Sequence, residues 1–265
     1  MSPLGRLGSG SSCRASKLVS RLVSRRLATT QWSQVLAARD GAGTEARQAL
    51  KGLCQTYWLP LYAYARSLGN DPERAEDLTQ SFFAHLMEKD ILQSVEPARG
   101  RFRSFLLASF KHSIAHHHRR DKTLRRGGGT STLSLDSAAA ESSLAHTPIK
   151  GMTPEQAYEY RWGLTVLEQA IERLRAEWSA ADRERLFEGL HPHLTGQEPR
   201  VPFREVGDDL GMTETATRGA MYRLRQRYGQ LIRAEIAETV ANADEVDDEV
   251  RHLLAVIRPW EGEQE

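Results

Sequence analysis

Residues 203–225 read FREVGDDLGMTETATRGAMYRLR. Val206 and Leu210 create a single apolar face near the start of this stretch, which predicts a short helix. Gly211 permits the left-handed backbone conformation that ends a helix. Thr213 is suited to cap a second helix, on which apolar residues return at helical spacing and are expected to face inward. These inward residues are Ala220, Met221 and Leu224.

Two helices joined by a short turn that contains glycine form the helix-turn-helix motif. In this motif the second helix enters the major groove of DNA, and its N-terminal residues reach base edges. Arginine pairs with guanine edges or phosphates, and threonine contacts bases or a thymine methyl group. The residues predicted to point outward are Thr215, Thr217, Arg218, Tyr222, Arg223 and Arg225. The structural alternative is an ordinary helical hairpin with a solvated basic face.

The composition of the 265 residues is ordinary for a globular protein, with 40% hydrophobic and 27% charged residues. At this length one large domain or two small ones are expected. The 36 Lys and Arg residues nearly balance the 35 Asp and Glu, so the net charge of +1 indicates no partner by itself. Apolar runs fall far short of the ~18 residues that cross a bilayer, which excludes a membrane span. Cys13 and Cys54 form no disulfide pattern, so a reducing, cytoplasmic location is predicted.

Helical periodicity dominates two blocks of the chain, and the sequence shows no alternating strand pattern. Asp71 and Pro72 are expected to start one helix, as its N-cap and its first helical residue. A stretch rich in Gly, Ser, Thr and Ala separates the blocks, as is typical of a flexible connector. The predicted fold class is all-α, with two helical domains joined by a flexible linker. The predicted bounds are 1–29 for a basic mobile tail, 30–121 for the first domain, 122–153 for the linker, 154–234 for the second domain and 235–265 for an acidic C-terminal extension.

The first 30 residues contain basic residues and no acidic ones. Apolar residues between Leu18 and Leu27 recur at helical spacing, so one interpretation is a basic amphipathic helix at a membrane surface or a transit peptide. The other is a mobile basic tail, or sequence upstream of the true start codon.

Residues 99–126 hold nine basic residues against the single acid Asp121. Basic charge follows phosphates, and aromatic faces stack on unpaired bases. Phe102, Phe105 and Phe110 are interspersed with this charge. Aromatic residues at helical spacing are more often core, which we expect for Phe105 and Phe110. The alternative to nucleic-acid binding is a solvated basic face.

His112 and His116 are four residues apart on one predicted helix face, a geometry compatible with zinc. No further ligand is placed in sequence to complete a site, so no metal is predicted. A phosphate loop and a spaced Ser/His/Asp set are also missing from the sequence. We therefore predict no cofactor and no catalytic residues, and the remaining enzymatic alternative is a nucleic-acid enzyme that uses the histidines.

Three further segments carry a resemblance to a known family. They read YWLPLYAY at 57–64, DPERAEDLTQSFF at 71–83 and GRFRSFLL at 100–107, the last followed by Lys111 and His112. Together with residues 203–228, they resemble the extracytoplasmic-function sigma factors of bacterial RNA polymerase. The resemblance covers roughly residues 30–240, and within the family the chain is most similar to long-linker variants of planctomycete-type bacteria.

The resemblance implies a helix that binds the polymerase. In the family, the segment like 71–83 docks on the clamp helices of the largest polymerase subunit. The polymerase-facing candidates are therefore Glu76, Asp77, Gln80 and Phe83. Read from its residues alone, the same segment is an amphipathic helix with a solvated acidic rim.

The resemblance also implies two DNA-reading regions. In the family, the segment like 100–107 melts and reads the minus-ten promoter element, and domain four reads the minus-thirty-five element as duplex. The minus-ten candidates are Arg99, Arg101, Phe102, Arg103, Lys111, His112, Arg119 and Arg120. The minus-thirty-five candidates are Thr213, Glu214, Thr215, Thr217, Arg218, Tyr222, Arg223 and Arg225.

The function implied by the family is that of a sigma factor, which directs RNA polymerase to specific promoters and assists promoter melting. The implied partners are core RNA polymerase and promoter DNA, and an anti-sigma factor or another regulator is left open. The alternative is a stand-alone helix-turn-helix transcription regulator that binds DNA without polymerase.

Residues 235–249 contain seven acidic residues and no Lys or Arg. The structural interpretation of this stretch is a solvated linker that ends in a terminal helix. The functional interpretation is a segment that competes with DNA for the basic helix or binds a regulator.

Overall fold

The computed structural model describes residues 44–88, 101–123, 140–142, 144, 151–195, 201–240 and 243–257. Within these residues the chain forms helices and no strands, which confirms the predicted all-α class. The helices are α1 (Thr44–Ser67), α2 (Pro72–Glu88), α3 (Phe102–Thr123), α4 (Pro154–Ser179), α5 (Glu184–Thr195), α6 (Phe203–Leu210), α7 (Glu214–Ala237), a 3₁₀ turn (Ala243–Glu245) and α8 (Val246–Val256). The predicted basic tail, 1–29, lies outside the described residues.

The predicted helix boundaries at three polar or glycine positions are confirmed. The side chain of Asp71 accepts a hydrogen bond of 2.8 Å from a backbone amide in the first turn of α2, which begins at Pro72. Gly211 ends α6 with a φ of 66°, the left-handed conformation. Thr213 caps α7 and accepts a hydrogen bond of 3.2 Å from the backbone amide of Ala216. Each boundary depends on contacts within a few residues, so the local sequence is sufficient to predict it.

One hydrophobic cluster contains residues from both predicted domains. Helix α4, from the second predicted domain, packs most extensively against α1, from the first. The fully buried side chains that meet here include Tyr57, Leu61, Phe82, Phe102, Phe110, Tyr158, Trp162 and Val166. The two blocks therefore share a core in this structure.

A second cluster joins the C-terminal half of α4 to α5, α6 and α7. Its buried members are Ala170, Leu174, Phe187, Leu190, Val206, Ala220, Met221, Leu224 and Leu231. The inward orientation predicted for Ala220, Met221 and Leu224 is confirmed. Because α4 contributes to both clusters, it connects the basic helix α3 to the helix pair α6–α7.

A short segment of the predicted linker packs on α1. Residues 140–142 and 144 are helical, and the side chains of Ala140 and Leu144 are buried. The Glu141 carboxylate accepts hydrogen bonds from the Tyr62 hydroxyl (2.5 Å) and from Nε of Arg66 (2.7 Å). Residues 124–139 and 145–150 lie outside the described portion of the chain.

The acidic C-terminal extension folds back onto the helices. The predicted terminal helix is present as α8, which packs against α4 and α7. Its Glu249 is fully buried, and Glu235 at the end of α7 is nearly so. The expectation of a solvated segment is therefore wrong for these two carboxylates, because both have arginine partners in the folded chain.

Candidate nucleic-acid interface

Helix α3 presents basic side chains on one face and aromatic ones on the other. Phe102 and Phe110 are fully buried, and the ring of Phe102 meets Tyr57 edge-on at 5.4 Å between centroids. Lys111, His112 and Arg119 are exposed. Three of the predicted minus-ten residues thus lie on the solvent face, whereas Phe102 lies on the buried face of the helix. Arg99 lies outside the described residues, as does the side chain of Arg120.

Arg103 points inward, which corrects the exposed orientation that a DNA contact requires. Its side chain is only 3% exposed, and Nη1 lies 2.7 Å from Oε2 of Glu159. Nε lies 2.9 Å from Oε1 of Glu249, and the guanidinium lies 4.6 Å from the centroid of the Trp162 ring. The inward orientation follows from these partners on α4 and α8, because a buried guanidinium needs compensating charge.

Glu249 bridges two of the predicted DNA-contacting arginines. Its Oε2 lies 2.8 Å from Nε of Arg101, while Oε1 pairs with Arg103. The Glu249 side chain is 0% exposed, and that of Arg101 is 35% exposed. The N-terminal end of α3 is therefore covered by the acidic helix α8.

Lys111 is paired with the first turn of α4. Its Nζ donates a hydrogen bond to Oε1 of Glu155, which lowers the pKa of Glu155 and raises the pKa of Lys111. Glu155 and Glu159 lie four residues apart, so α4 presents both carboxylates to α3 on one face. His252 of α8 also contacts Glu159, at 3.1 Å.

Sequence reasoning missed the carboxylates that face α3. Glu155 and Glu159 stand at helical spacing beside the capping box of α4, in which Thr153 and Gln156 exchange hydrogen bonds. That spacing predicts a shared face, but the sequence does not say which helix lies opposite. Glu249 belongs to the recognised acidic stretch, and its arginine partners are likewise set by packing.

Helix α2 exposes only some of the predicted polymerase-facing set. Asp77 is exposed, and Glu76 is half-buried and accepts a hydrogen bond of 2.6 Å from Nε2 of Gln80. Gln80 and Phe83 are buried, which corrects the surface position predicted for both. The reason is helical phase: Gln80 and Phe83 are three residues apart and share a face that packs inward, where the Phe83 ring meets Phe82 at 5.7 Å between centroids.

Helix α7 carries an exposed face at its N-terminal end. Thr215, Tyr222, Arg223 and Arg225 are exposed, Tyr222 to 63%. The other exposed candidates at this end are Thr213, Glu214 and Arg218. These side chains stand where a recognition helix would offer polar and basic groups to a groove.

Two contacts fix Arg218 on this surface. Its Nη2 lies 2.7 Å from Oε1 of Glu214, and its guanidinium lies 5.2 Å from the Phe203 ring centroid. Arg204, Arg218 and Arg225 line a cleft of about 470 Å³ between the N-terminal ends of α6 and α7. The cleft is electropositive, because only Glu214 among its lining residues is acidic.

Thr217 is fully buried, so its predicted outward orientation is wrong. Its hydroxyl donates a hydrogen bond of 3.1 Å to the Thr213 carbonyl. A Cβ atom at Gly207 would lie 2.9 Å from the Thr217 hydroxyl oxygen and 2.7 Å from the Met212 carbonyl oxygen. The absence of a side chain at Gly207 allows α6 and α7 to approach closely, and Thr217 fills that contact.

Two negative findings apply to the described portion of the chain. No described helix is long and apolar enough to cross a membrane. Within the same residues, no three His, Cys, Asp or Glu side chains are grouped so that they could hold a metal ion.

The segment that contains α2, α3 and most of α1 also matches a known protein family. Residues 53–123 match the family Sigma-70 region 2. This match supports a sigma-70-type sigma factor with a role in promoter recognition and transcription initiation, as a polymerase specificity subunit. Comparisons with curated proteins and with solved structures each gave no match.

Proposed function

We propose that this chain is a cytoplasmic sigma factor of the extracytoplasmic-function subfamily, in a long-linker form. It binds core RNA polymerase, directs it to specific promoters and assists promoter melting. The observation that carries the proposal is the match of residues 53–123 to sigma-70 region 2, on a segment whose α3 exposes Lys111, His112 and Arg119. An anti-sigma factor or another regulator is a further proposed partner.

In the proposed mechanism the sigma-70 region 2 works at two surfaces. The exposed acidic side of α2, centred on Asp77, contacts the polymerase. The basic side of α3 binds the phosphates and unpaired bases of the minus-ten element. Unstacking a base costs a few kcal/mol, which basic contacts to the backbone partly offset.

The second DNA contact is proposed for α7, which acts as a recognition helix on the minus-thirty-five duplex. Its exposed Thr215, Arg218, Tyr222, Arg223 and Arg225 are of the kinds that contact base edges and phosphates. Two tethered contacts strengthen each other, because the first raises the effective concentration of the second. The proposed domain bounds, 30–121 and 154–234, place one contact in each domain.

Gel-shift and run-off transcription assays with and without bacterial core polymerase test the proposal. A sigma factor binds promoter fragments weakly alone and gives specific transcripts only with the core enzyme. Tight duplex binding by the isolated protein, with no association with core polymerase, would instead support a stand-alone transcription regulator. The exposed α7 face is the observation that favours this second candidate.

A further inference from the structure

The C-terminal helix α8 is closely docked on α4. Leu253 is 1% exposed, and Val246 is also buried. At Gly163 on α4, an added Cβ atom would lie 3.0 Å from Cδ1 of Leu253 and 2.9 Å from Cγ2 of Ile257. The missing side chain at Gly163 lets Leu253 and Ile257 pack directly on the backbone of α4, so the two helices are in close contact.

The docked helix directs its charge at the basic end of α3. Glu249 reaches both Arg101 and Arg103 and is shielded from solvent by the helices around it. The two Glu249 oxygens accept hydrogen bonds from Nε (2.9 Å) and Nη2 (3.4 Å) of Arg103, a bidentate arrangement that arginine also forms with phosphates. A phosphate and Glu249 therefore compete for the partly exposed Arg101, whereas Arg103 is also held by Glu159 of α4.

A second ion pair holds the outer side of α8. Asp247 pairs with Arg233 of α7, and both side chains are more than half exposed. This pair ties α8 to the helix that carries the proposed recognition face. It is open to substitution, since neither side chain contributes to a buried core.

We propose that residues 243–257 are an autoinhibitory segment that competes with nucleic-acid phosphates for Arg101. In the free protein the segment partly covers Arg101 and lowers the affinity for single-stranded DNA. Its displacement exposes the N-terminal end of α3 and adds phosphate contacts. This inference rests on the proposed function, because it takes α3 to be a DNA-binding helix.

The first test compares the full-length protein with Glu249→Gln by fluorescence anisotropy, using a labelled single-stranded DNA of mixed sequence, about 20 nucleotides long. Gln keeps the shape of the side chain but removes its charge. We expect DNA to bind about five- to tenfold more tightly. The dependence of log K on log salt should also steepen, by about 0.7 for each newly contacted phosphate. Glu172→Gln changes the net charge equally at an exposed position of α4 and is the matched control.

The second test uses Arg233→Glu, because Glu249→Gln leaves Arg103 with less compensating charge and can weaken folding. Arg233→Glu places a carboxylate beside Asp247 and loosens α8, while it makes the protein more negative. We expect DNA affinity to increase about two- to threefold, although the added negative charge by itself would lower it. The double variant Arg233→Glu/Asp247→Arg restores an ion pair of opposite polarity and is expected to return the affinity toward that of the wild type.

Circular dichroism and thermal unfolding show that each variant is folded before binding is compared. The inference is overturned if folded Glu249→Gln and Arg233→Glu bind DNA with the wild-type affinity and salt slope. A rise of equal size in the Glu172→Gln control also overturns it, because the effect is then one of net charge. Association of the wild-type chain with core polymerase is measured separately, so failure of the proposed function is distinguished from failure of the autoinhibitory contact.

Discussion

At Gly207 the backbone of α6 approaches the turn before α7 so closely that a methyl group does not fit. A Cβ atom there would lie 2.7 Å from the Met212 carbonyl oxygen, a backbone atom that cannot rotate away. We expect Gly207→Ala to lower the free energy of unfolding by about 1–3 kcal/mol, the usual range for overpacking. Gly229 on α7 has no atom within 4 Å of an added Cβ. Gly229→Ala is therefore the control, expected to stabilise α7 by up to about 1 kcal/mol. Urea unfolding followed by circular dichroism measures both, and equal effects would contradict the close approach.

Glu238 gives the protein a pH-dependent stability. Burial, together with the neighbouring Glu235, raises the pKa of Glu238 to about 7, and Arg173 only partly opposes this. Because the pKa of Glu238 is raised in the folded state, folding favours the protonated carboxyl. The stability that this gives the folded protein is fully present below the unfolded pKa of 4.5 and is lost as the pH rises toward about 7. Glu238→Gln should remove this loss and stabilise the protein at about pH 8 by an amount on the order of 1 kcal/mol.

Chemical unfolding of the wild type and Glu238→Gln at about pH 5 and about pH 8 measures the difference. Glu235 pairs with Arg173 at 2.6 Å, and we expect this ion pair to remain in the variant. An unchanged pH dependence in Glu238→Gln would assign the effect to another group. Glu172→Gln, at a largely exposed position, is expected to leave the pH profile of the wild type intact.

Single-residue features differ in how far the sequence predicts them. The caps at Asp71 and Thr213 depend on amides three residues away, and both were predictable. Arg103 depends on Glu159, 56 residues away, and on Glu249, 146 residues away. Its inward orientation is decided by packing between distant helices, which no local pattern contains.

At the scale of the element, α2 offers a limited exposed surface for the proposed contact with polymerase. Asp77 is exposed in its middle, whereas Gln80 and Phe83 are buried. We expect Asp77→Arg to weaken co-purification with core polymerase at least tenfold, which corresponds to about 1.4 kcal/mol. Phe83→Ala is expected to act mainly on folding and to lower the free energy of unfolding by about 3–5 kcal/mol, because the Phe83 ring is in the core.

Pull-down with immobilised core polymerase, after thermal unfolding shows intact folding, separates the two effects. Glu172→Arg has the same change of charge at an exposed site on α4 and should bind as the wild type does. If Asp77→Arg is retained on the polymerase like this control, the α2 surface is not the contact.

The helices themselves follow from apolar periodicity, which predicted α2, α3, α6 and α7 near their observed positions. The sequence did not predict which helices are neighbours. The segment that contains residues 140–142 docks through the buried Ala140 and Leu144 and through Glu141, which meets Tyr62 and Arg66 on α1. A segment rich in small and polar residues gives little periodic signal, so such a contact is visible only in the folded chain.

At the scale of the whole molecule, α4 joins the two predicted domains through both hydrophobic clusters. Its N-terminal half carries Tyr158 and Trp162 into the cluster around α1, and its C-terminal half carries Ala170 and Leu174 into the other. A low-complexity connector in the sequence indicates two separate domains. Its composition predicts a flexible connector, but it does not show whether the flanking domains pack against each other. The packing of the two predicted domains around a shared helix is therefore visible only in the structure.

This shared helix predicts that the free protein unfolds in one transition. Trp162 of α4 is fully buried in the cluster that contains α1, 4.6 Å from the Arg103 guanidinium, so Trp162→Ala should remove about 3–5 kcal/mol and uncouple the two clusters. Trp178 belongs to the second cluster and is only partly buried, so Trp178→Ala should cost less and leave a single transition. Hydrogen exchange of α2 and α7 during urea unfolding gives one midpoint for both helices if they are coupled. Two separate midpoints in the wild type would contradict the shared core. Two midpoints in Trp162→Ala alone are the expected result, because of the two variants only this one removes an α4 side chain from the cluster that contains α1.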